Sequence, residues 1–544
     1  MNIAVVDSLG RASGDRYSTF DVVGAGPRIV AGIAEKHGSV AFYTYEKATR
    51  KLDELVKENI VLISAMSSDY NALSKFVLEL RRKQFRGKVI AGGPISFEYW
   101  RVLQELPVDL VIVGEGEIPL EKLLKSLEES KDISEVPALA YRDNAGTIKL
   151  TSRHLHTPKE LLSAIKPWTK VNEGFEFPQL YRFYVEIVRG CSNFARPMID
   201  LPGTACKECL KCRSDNLVDR LTCPAGIPPG CGFCSVPHMF GPPRSREIKS
   251  IKEEVENLIS HGARRIVLSA PDFLDYGREE LVNGPLTNPC NPPANIELIE
   301  ELLNQLHAID AVSNKKVVIS AENIKACLVT DEVGKVLGRY LRGTTIHIGL
   351  ETCTNWFNSK VLGKPITVEQ VIKASRILKD CGLRPYVYLM YGLPLASRRI
   401  YEDMISSISK LWSCGVEKIT LYKFVNLPGT AFSDIKVNAE KARNVIYRLK
   451  KAVDAYNTAT KRQLVGKEIE VFLLERDGKV YGYPAYHGPV VFVAVKNKVR
   501  DNLSGCKGYV RIADFSRRFV RGELLRLSEC FEFPQVSAGD GMPP

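Results

Sequence analysis

The sequence predicts an α/β protein in three parts: a doubly wound, Rossmann-like parallel sheet, a partial (βα)6 TIM-type barrel and a small C-terminal all-β barrel. Three observations carry this prediction. Short apolar runs alternate with amphipathic helical stretches over residues 1–135. The alternation resumes over 181–435 with six strand-like runs, fewer than a closed eightfold barrel needs. Beyond a basic connecting helix at 436–463, the pattern changes to short alternating strands over 464–525, leaving a tail at 526–544. The chain has 544 residues, 45% hydrophobic and 25% charged, which is ample for several cores and excludes wholesale disorder.

In the first part the apolar runs lie at 3–6, 40–43, 60–63, 88–91 and 110–113, with a helical stretch at 72–82 whose apolar residues are Leu73, Phe76, Val77 and Leu80. Small residues and an acid follow the strands: Ser64, then Gly92 and Gly93, then Gly114, Glu115 and Gly116. Open α/β sheets bind ligands at that edge, where backbone amides and helix N-termini are exposed. Tight turns without a ligand are the alternative. Residues 136–180 read as a linker with short strand-like pieces. The barrel strands are expected at 184–188, 265–270, 317–320, 345–350, 385–390 and 418–424, and those of the tail at 468–474, 480–483, 490–495 and 508–512. No window of 18 uninterrupted apolar residues exists, so no membrane span is expected. The first residues read directly as a strand rather than a signal peptide, which makes a cytoplasmic protein the expectation. A formal charge of +12 suits RNA or an anionic membrane surface and separates neither.

The cysteines are distributed unevenly. Residues 1–190 contain none, whereas seven of the 14 fall between Cys191 and Cys234. In a reducing cytosol such a cluster points to metal. Cys231-Gly232-Phe233-Cys234 is a two-thiolate clip, and Cys206, Cys209, Cys212 and Cys223 follow a Cys-x2-Cys-x2-Cys-x10-Cys pattern with Pro224 after the last, close to ferredoxin spacing. Zinc is the alternative, since four thiolates also form a structural site. Cys290, Cys327, Cys353, Cys381, Cys414, Cys506 and Cys530 are scattered and read as ordinary buried thiols. His238, just past the clip, reads either as a neighbour of a metal centre or as a surface-loop residue.

Glu186-Ile187-Val188-Arg189-Gly190-Cys191 at a strand end, followed by Gly230-Cys231-Gly232-Phe233-Cys234, resembles the split motif of radical S-adenosylmethionine enzymes. The resemblance implies that Cys191, Cys231 and Cys234 hold a [4Fe-4S] cluster whose open iron binds S-adenosylmethionine, with Phe233 shielding it near the adenine. Here 39 residues separate Cys191 from Cys231 where the family has about three, and this insert carries the second cysteine set. Cys223 therefore competes with Cys191 as the first ligand; Cys191 is preferred because it follows a strand directly. Ala91-Gly92-Gly93-Pro94 and the run from Val108 to Glu117 resemble the cobalamin-binding domain of the class B members, without an Asp-x-His-x-x-Gly motif to supply a lower cobalt ligand. By the same likeness Glu322 and Glu351, in Ser320-Ala321-Glu322 and Gly349-Leu350-Glu351, would serve the ribose or methionine end of S-adenosylmethionine. Salt bridges at strand ends are the alternative for both acids. Residues 466–508 resemble the TRAM barrel of tRNA methylthiotransferases, with Lys496, Lys498, Arg500, Arg517, Arg518 and Arg521 as a candidate RNA-binding face.

The resemblance is nearest to archaeal enzymes that form cyclopentane rings in tetraether membrane lipids, the tetraether lipid ring synthases. It implies S-adenosylmethionine, a [4Fe-4S] cluster and cobalamin, and the ferredoxin-like spacing of the four-cysteine set adds an auxiliary [4Fe-4S] cluster, with zinc as the alternative. It also implies a lipid substrate met peripherally at the membrane and an electron donor such as ferredoxin or flavodoxin. A cobalamin-dependent methyltransferase acting on RNA or protein is the alternative reaction, and a zinc-stapled binding module the alternative without catalysis. An apolar tunnel would fit the lipid, a polar channel the methyl acceptor.

Overall fold

The computed structural model describes residues 1–12, 21–152, 156–201, 203–437, 440–496 and 502–531. It divides into two compact units, Met1–Glu186 with Arg246–Ala263, and Ile187–Ser245 with Arg264 onward. The helix Ile248–Ser260 belongs to the first unit.

The first unit is built on a seven-stranded sheet. Its parallel strands run in the order Ser39–Thr44, Asn2–Asp7, Ile60–Ser64, Lys88–Gly92 and Leu110–Ile112. The chain leaves strand Asn2–Asp7 to one side and returns on the other, which creates the switch point where doubly wound sheets bind ligands. Helix Tyr70–Arg82 turns Leu73, Phe76, Val77 and Leu80 onto the sheet, and all four are buried. Residues 136–180, expected as a linker, contribute structure instead. Leu139–Arg142 and Ile148–Leu150 extend the sheet as an antiparallel hairpin, with Leu139 and Ala140 fully buried. An edge strand with an apolar face gains by being covered. A buried ion triad also forms in this unit, Glu254 accepting from Arg28 and Arg246 at 2.6 Å each. Burial pushes the Glu254 carboxyl up, but the two guanidiniums outweigh it and hold it below the ordinary value.

In the second unit, Arg265–Ser269 pairs in parallel with Val318–Ala321. Asn323–Ile324, Thr345–Glu351, Arg384–Tyr391 and Lys418–Lys423 form a second parallel run. Five of these six strands are expected ones, Asn323–Ile324 being an additional short strand; the remaining expected strand, Arg182–Glu186, is a strand of the first unit and pairs there with Val22–Val23. Helices between the strands begin at side-chain caps, such as Thr330 accepting from Val333 and the reciprocal pair Thr367 and Gln370. Along Thr345–Glu351, Ile346, Ile348 and Leu350 are fully buried on one face while His347, Gly349 and Glu351 share the other.

The tail is a closed five-stranded barrel in the order Glu468–Arg476, Lys479–Pro484, Val491–Ala494, Val520–Cys530 and Cys506–Phe515. The fifth strand, Val520–Cys530, completes the closure that the four predicted strands leave open, and closure removes the free sheet edges. Four of the scattered cysteines are not free thiols: Cys290 is bonded to Cys327 and Cys506 to Cys530. Cys506 and Cys530 face each other across neighbouring antiparallel strands, a pairing invisible in sequence. Cys353, Cys381 and Cys414 remain thiols. Among the described residues no helix is long and apolar enough to cross a membrane.

Candidate active site

Cys191 follows the short strand Val188–Arg189 through Gly190, whose φ of +91° only glycine adopts freely. A Cβ there would meet the Pro242 carbonyl oxygen at 2.2 Å, so the chain passes tightly against Pro242 while the Cys191 N–H donates to Gly241. Cys231 and Cys234 sit on a loop fastened by Gly232 N–H to the Leu362 carbonyl and closed by Cys234 N–H to the Cys231 carbonyl. Asn193 joins the two thiol sources, its backbone N–H 3.4 Å from Cys191 Sγ and its Nδ2 3.2 Å from Cys231 Sγ. The structure thus groups Cys191, rather than Cys223, with the clip. Phe233 is half-buried between its two cysteines.

Burial pushes the Cys231 thiol up to about 11 and the Cys234 thiol up to about 12, each reinforced by neighbouring cysteine sulfurs. Three buried sulfurs become thiolates only against positive charge, which a cluster supplies. Three thiols also leave one iron open, so the donor set fits a [4Fe-4S] cluster that binds S-adenosylmethionine.

Two lysines flank these sulfurs, and sequence reasoning missed both. Lys364 Nζ lies 2.7 Å from Glu351 Oε1 and within electrostatic reach of Cys231 and Cys234. Glu351 ends its strand at a bulge with φ +67°, and a Cβ at Gly349 would sit 2.5 Å from Lys364 Nζ. Gly349 therefore makes room for the ion pair on the inner face of the sheet. Lys325 holds Asp272 at 2.8 Å and Asp275 at 2.7 Å, and donates to Ser192 Oγ at 2.9 Å, next to Cys191. Burial alone would push the Lys325 ammonium down; Asp272 and Asp275 hold it above its ordinary value. Arg278 pairs with Asp275 from the other side. The usable signal for Lys325 is its position just beyond the strand end at Ala321, where barrel enzymes collect polar groups. Glu322, at that same end, is half-buried and its carbonyl accepts from the His347 N–H at 2.7 Å. His238 is exposed and its Nδ1 meets the Gly429 carbonyl at 2.8 Å.

The inner face carries several polar groups. Tyr388 Oη lies 2.6 Å from His347 Nδ1, its ring 5.3 Å from that of Tyr422, and Ser320 donates to the Ile266 carbonyl. Exposed apolar side chains stand beyond the strands: Trp356 at the start of a short helical segment, and Leu395 and Val425 on loops.

The four remaining cysteines of the insert, Cys206, Cys209, Cys212 and Cys223, line one small cavity together with Arg196. Among the described residues no three His, Cys, Asp or Glu side chains close on a single ion. Of the basic residues on the C-terminal barrel, Lys496 pairs with Glu523, Arg517 with Asp454 and Arg521 with Asp514, so much of that charge is balanced. Lys498 and Arg500 lie outside the described residues.

At the strand ends of the first unit, Gly93 has φ +87° and a Cβ there would lie 2.8 Å from the Ala65 carbonyl oxygen and 3.5 Å from Ser64 Oγ. Gly114 has φ +86° with nothing within 4 Å of a Cβ, and a Cβ at Gly92 would touch only Ile112, at 3.9 Å or more. Gly116 is similarly open, meeting Ile112 alone at 3.9 Å. These positions form a cradle that side chains would fill, which fits a broad planar ligand such as cobalamin. Glu115 is buried and accepts from the Thr157 N–H at 2.9 Å, so its carboxylate holds the chain beside the cradle.

Comparison with known proteins agrees with both halves of this geometry. The Radical SAM superfamily model matches residues 222–408 and the B12 binding domain model residues 16–124. The first match stops short of Cys191, which the fold alone brings to the clip. An uncharacterized protein of Methanopyrus kandleri is 34% identical over 100% of this chain and 99% of its own length. The tRNA-2-methylthio-N(6)-dimethylallyladenosine synthase of Bacteroides fragilis is 23% identical over 54% of this chain and 61% of its own. The radical S-adenosylmethionine methyltransferase TsrM of Kitasatospora setae, solved with cobalamin and a [4Fe-4S] cluster, shares the fold at a TM-score of 0.59, 12% identity and coverage of 79% and 77%. The chain belongs to the cobalamin-binding, class B radical S-adenosylmethionine enzymes, with S-adenosylmethionine, a [4Fe-4S] cluster and cobalamin as its cofactors.

Proposed function

We propose that the enzyme methylates an unactivated carbon of a polar substrate, with RNA as the substrate class. The observation that carries this reading is the set of polar groups on the inner face of the barrel, where Ser320, His347, Glu351, Lys364, Tyr388 and Tyr422 offer donors and acceptors to a polar substrate. The kinship with a tRNA-modifying enzyme supports the same class. When bound, S-adenosylmethionine on the cluster supplies a hydrogen-abstracting 5′-deoxyadenosyl radical and cobalamin supplies a methyl group.

The chain's own residues shape the site for that chemistry. Cys191, Cys231 and Cys234 hold the cluster, and Asn193 sets the spacing of two of them. Lys364 and Lys325 place fixed positive charge beside the thiolates in a buried setting, where it acts at short range with little screening. Glu351 and Glu322 are placed to accept from ribose hydroxyls or the methionine ammonium. Ser64, Gly92, Gly93, Gly114 and Gly116 hold cobalamin by backbone approach. The closed C-terminal barrel serves as the RNA-contacting module.

A second reading rests on one specific observation. Trp356, Leu395 and Val425 form an exposed apolar set beyond the barrel strands, which suits a lipid approaching from the membrane. On that reading the enzyme closes cyclopentane rings in tetraether lipids, removing two hydrogens per ring. Deletion of the gene in the native host, with mass spectrometry of RNA nucleosides and of membrane lipids, separates the two. Loss of a methylated nucleoside with unchanged lipids supports methyl transfer. Altered ring numbers with unchanged nucleosides overturn it in favour of ring closure.

A further inference from the structure

Three arginines in the cysteine-rich insert lack an anionic partner. Arg196 is 2% exposed, and its guanidinium donates only to the carbonyls of Ile227, Phe194, Arg220 and Leu221. Arg220 is 5% exposed and donates to the carbonyls of Ser214 and Cys212. Arg213 donates to the Ser359 carbonyl. Among the described residues none of the three forms an ion pair with a carboxylate. A buried guanidinium without a counter-charge costs several kcal/mol. What Arg196 and Arg213 face instead is sulfur. Arg196 lines one small cavity with Cys206, Cys209, Cys212 and Cys223, and Arg220 donates to the Cys212 carbonyl, with the Cys212 sulfur and the Asp215 carboxylate both within electrostatic reach. Arg213 is within reach of Cys212 on one side and Cys231 of the radical centre on the other.

Position adds a second argument. Cys231 and Cys234 are on a loop held against the barrel, whereas Cys209 is exposed at the surface between Lys207 and Lys211, both exposed as well. Electrons for the radical centre must enter from outside the chain, and this insert runs from the surface to Arg213, beside that centre.

We propose that Cys206, Cys209, Cys212 and Cys223 hold a second [4Fe-4S] cluster, charge-balanced by Arg196, Arg213 and Arg220, which relays electrons from a surface donor to the radical cluster. The inference rests on the radical chemistry described above and adds the route by which it is reduced. A donor of the ferredoxin or flavodoxin class, with an acidic surface complementary to Lys207 and Lys211, loses one electron to the second cluster. That cluster passes the electron to the radical cluster and returns to its oxidised state. The electron breaks the sulfonium carbon–sulfur bond of S-adenosylmethionine, releasing methionine and the 5′-deoxyadenosyl radical. The donor is left oxidised by one electron, and no other co-reactant is required.

The test uses the full chain purified without oxygen. Wild type is expected to carry about eight irons and eight sulfides, and C209A/C212A about half of each. In that double variant, 5′-deoxyadenosine formation driven by reduced flavodoxin should fall by about tenfold or more, while formation driven by dithionite falls by about threefold at most. Should the double variant fail to fold, C191A/C231A/C234A tests the same site, since it should retain about four irons and a reducible cluster signal in electron paramagnetic resonance. One zinc with about four irons per wild-type chain overturns the proposal and leaves methyl transfer standing. Equal losses with flavodoxin and dithionite overturn the relay. Two clusters on a chain that never consumes S-adenosylmethionine would instead overturn the functional reading and spare the second site.

Discussion

Cys191 and Cys223 both precede the clip and neither spacing matches the family, so the sequence prefers Cys191 only because it follows a strand directly. Geometry separates them: Asn193 spans Cys191 and Cys231, while Cys223 lines the other cavity. Cys191→Ala is therefore expected to abolish 5′-deoxyadenosine formation with any reductant. If Cys223→Ala abolishes dithionite-driven formation and Cys191→Ala does not, the ligand assignment is wrong. A second residue, Asp7, shows what burial does in the first unit. Burial raises its carboxyl from 3.8 to about 6, against the opposing pull of Arg11. Because the folded value lies above the unfolded one, the folded state binds the proton more tightly. This contribution to stability is full below about pH 4 and lost as pH rises through about 6, an effect of order 3 kcal/mol. Denaturant unfolding of Asp7→Asn should lose that slope; an unchanged pH profile would show that Asp7 ionises as freely folded as unfolded.

At the scale of elements, the clip loop is held by close packing. Gly232 lies against Phe432, and a Cβ there would be 2.4 Å from the ring, which is itself fully buried. Gly232→Ala should cost about 1–3 kcal/mol and reduce cluster occupancy, read by thermal melting and iron content. Full occupancy with an unchanged melt would mean that the Phe432 ring yields freely. The helices and parallel strands were legible because a repeat of apolar positions reports directly on which face is buried. The hairpin within 136–180 was not, since its strands are short and only pairing with Leu110–Ile112 defines them. The final strand Val520–Cys530 escaped for a related reason: its residues are mostly half-exposed, with charged side chains interrupting the apolar ones, and closure of the barrel keeps it in place.

At the scale of the whole molecule, two disulfides bridge sequence separations of 37 and 24 residues. Constraint of the unfolded chain assigns each about 3–4 kcal/mol. Reductant should lower the unfolding midpoint of the oxidised protein, and Cys290→Ser/Cys506→Ser should show the lower midpoint without it. Equal midpoints in all three conditions would mean that neither bond forms in solution.

The order of parts, the cofactor-domain strand ends and both cysteine sets follow from the sequence by itself, because periodicity and ligand spacing are local properties. Only the tertiary structure brings Cys191 beside the clip, pairs four cysteines in disulfides, sets Lys325 and Lys364 beside Cys191 and the clip, and buries Arg196 and Arg220 beside the second set. Each of these depends on residues far apart in sequence meeting in space, and their charges acquire meaning only once water has been excluded from between them.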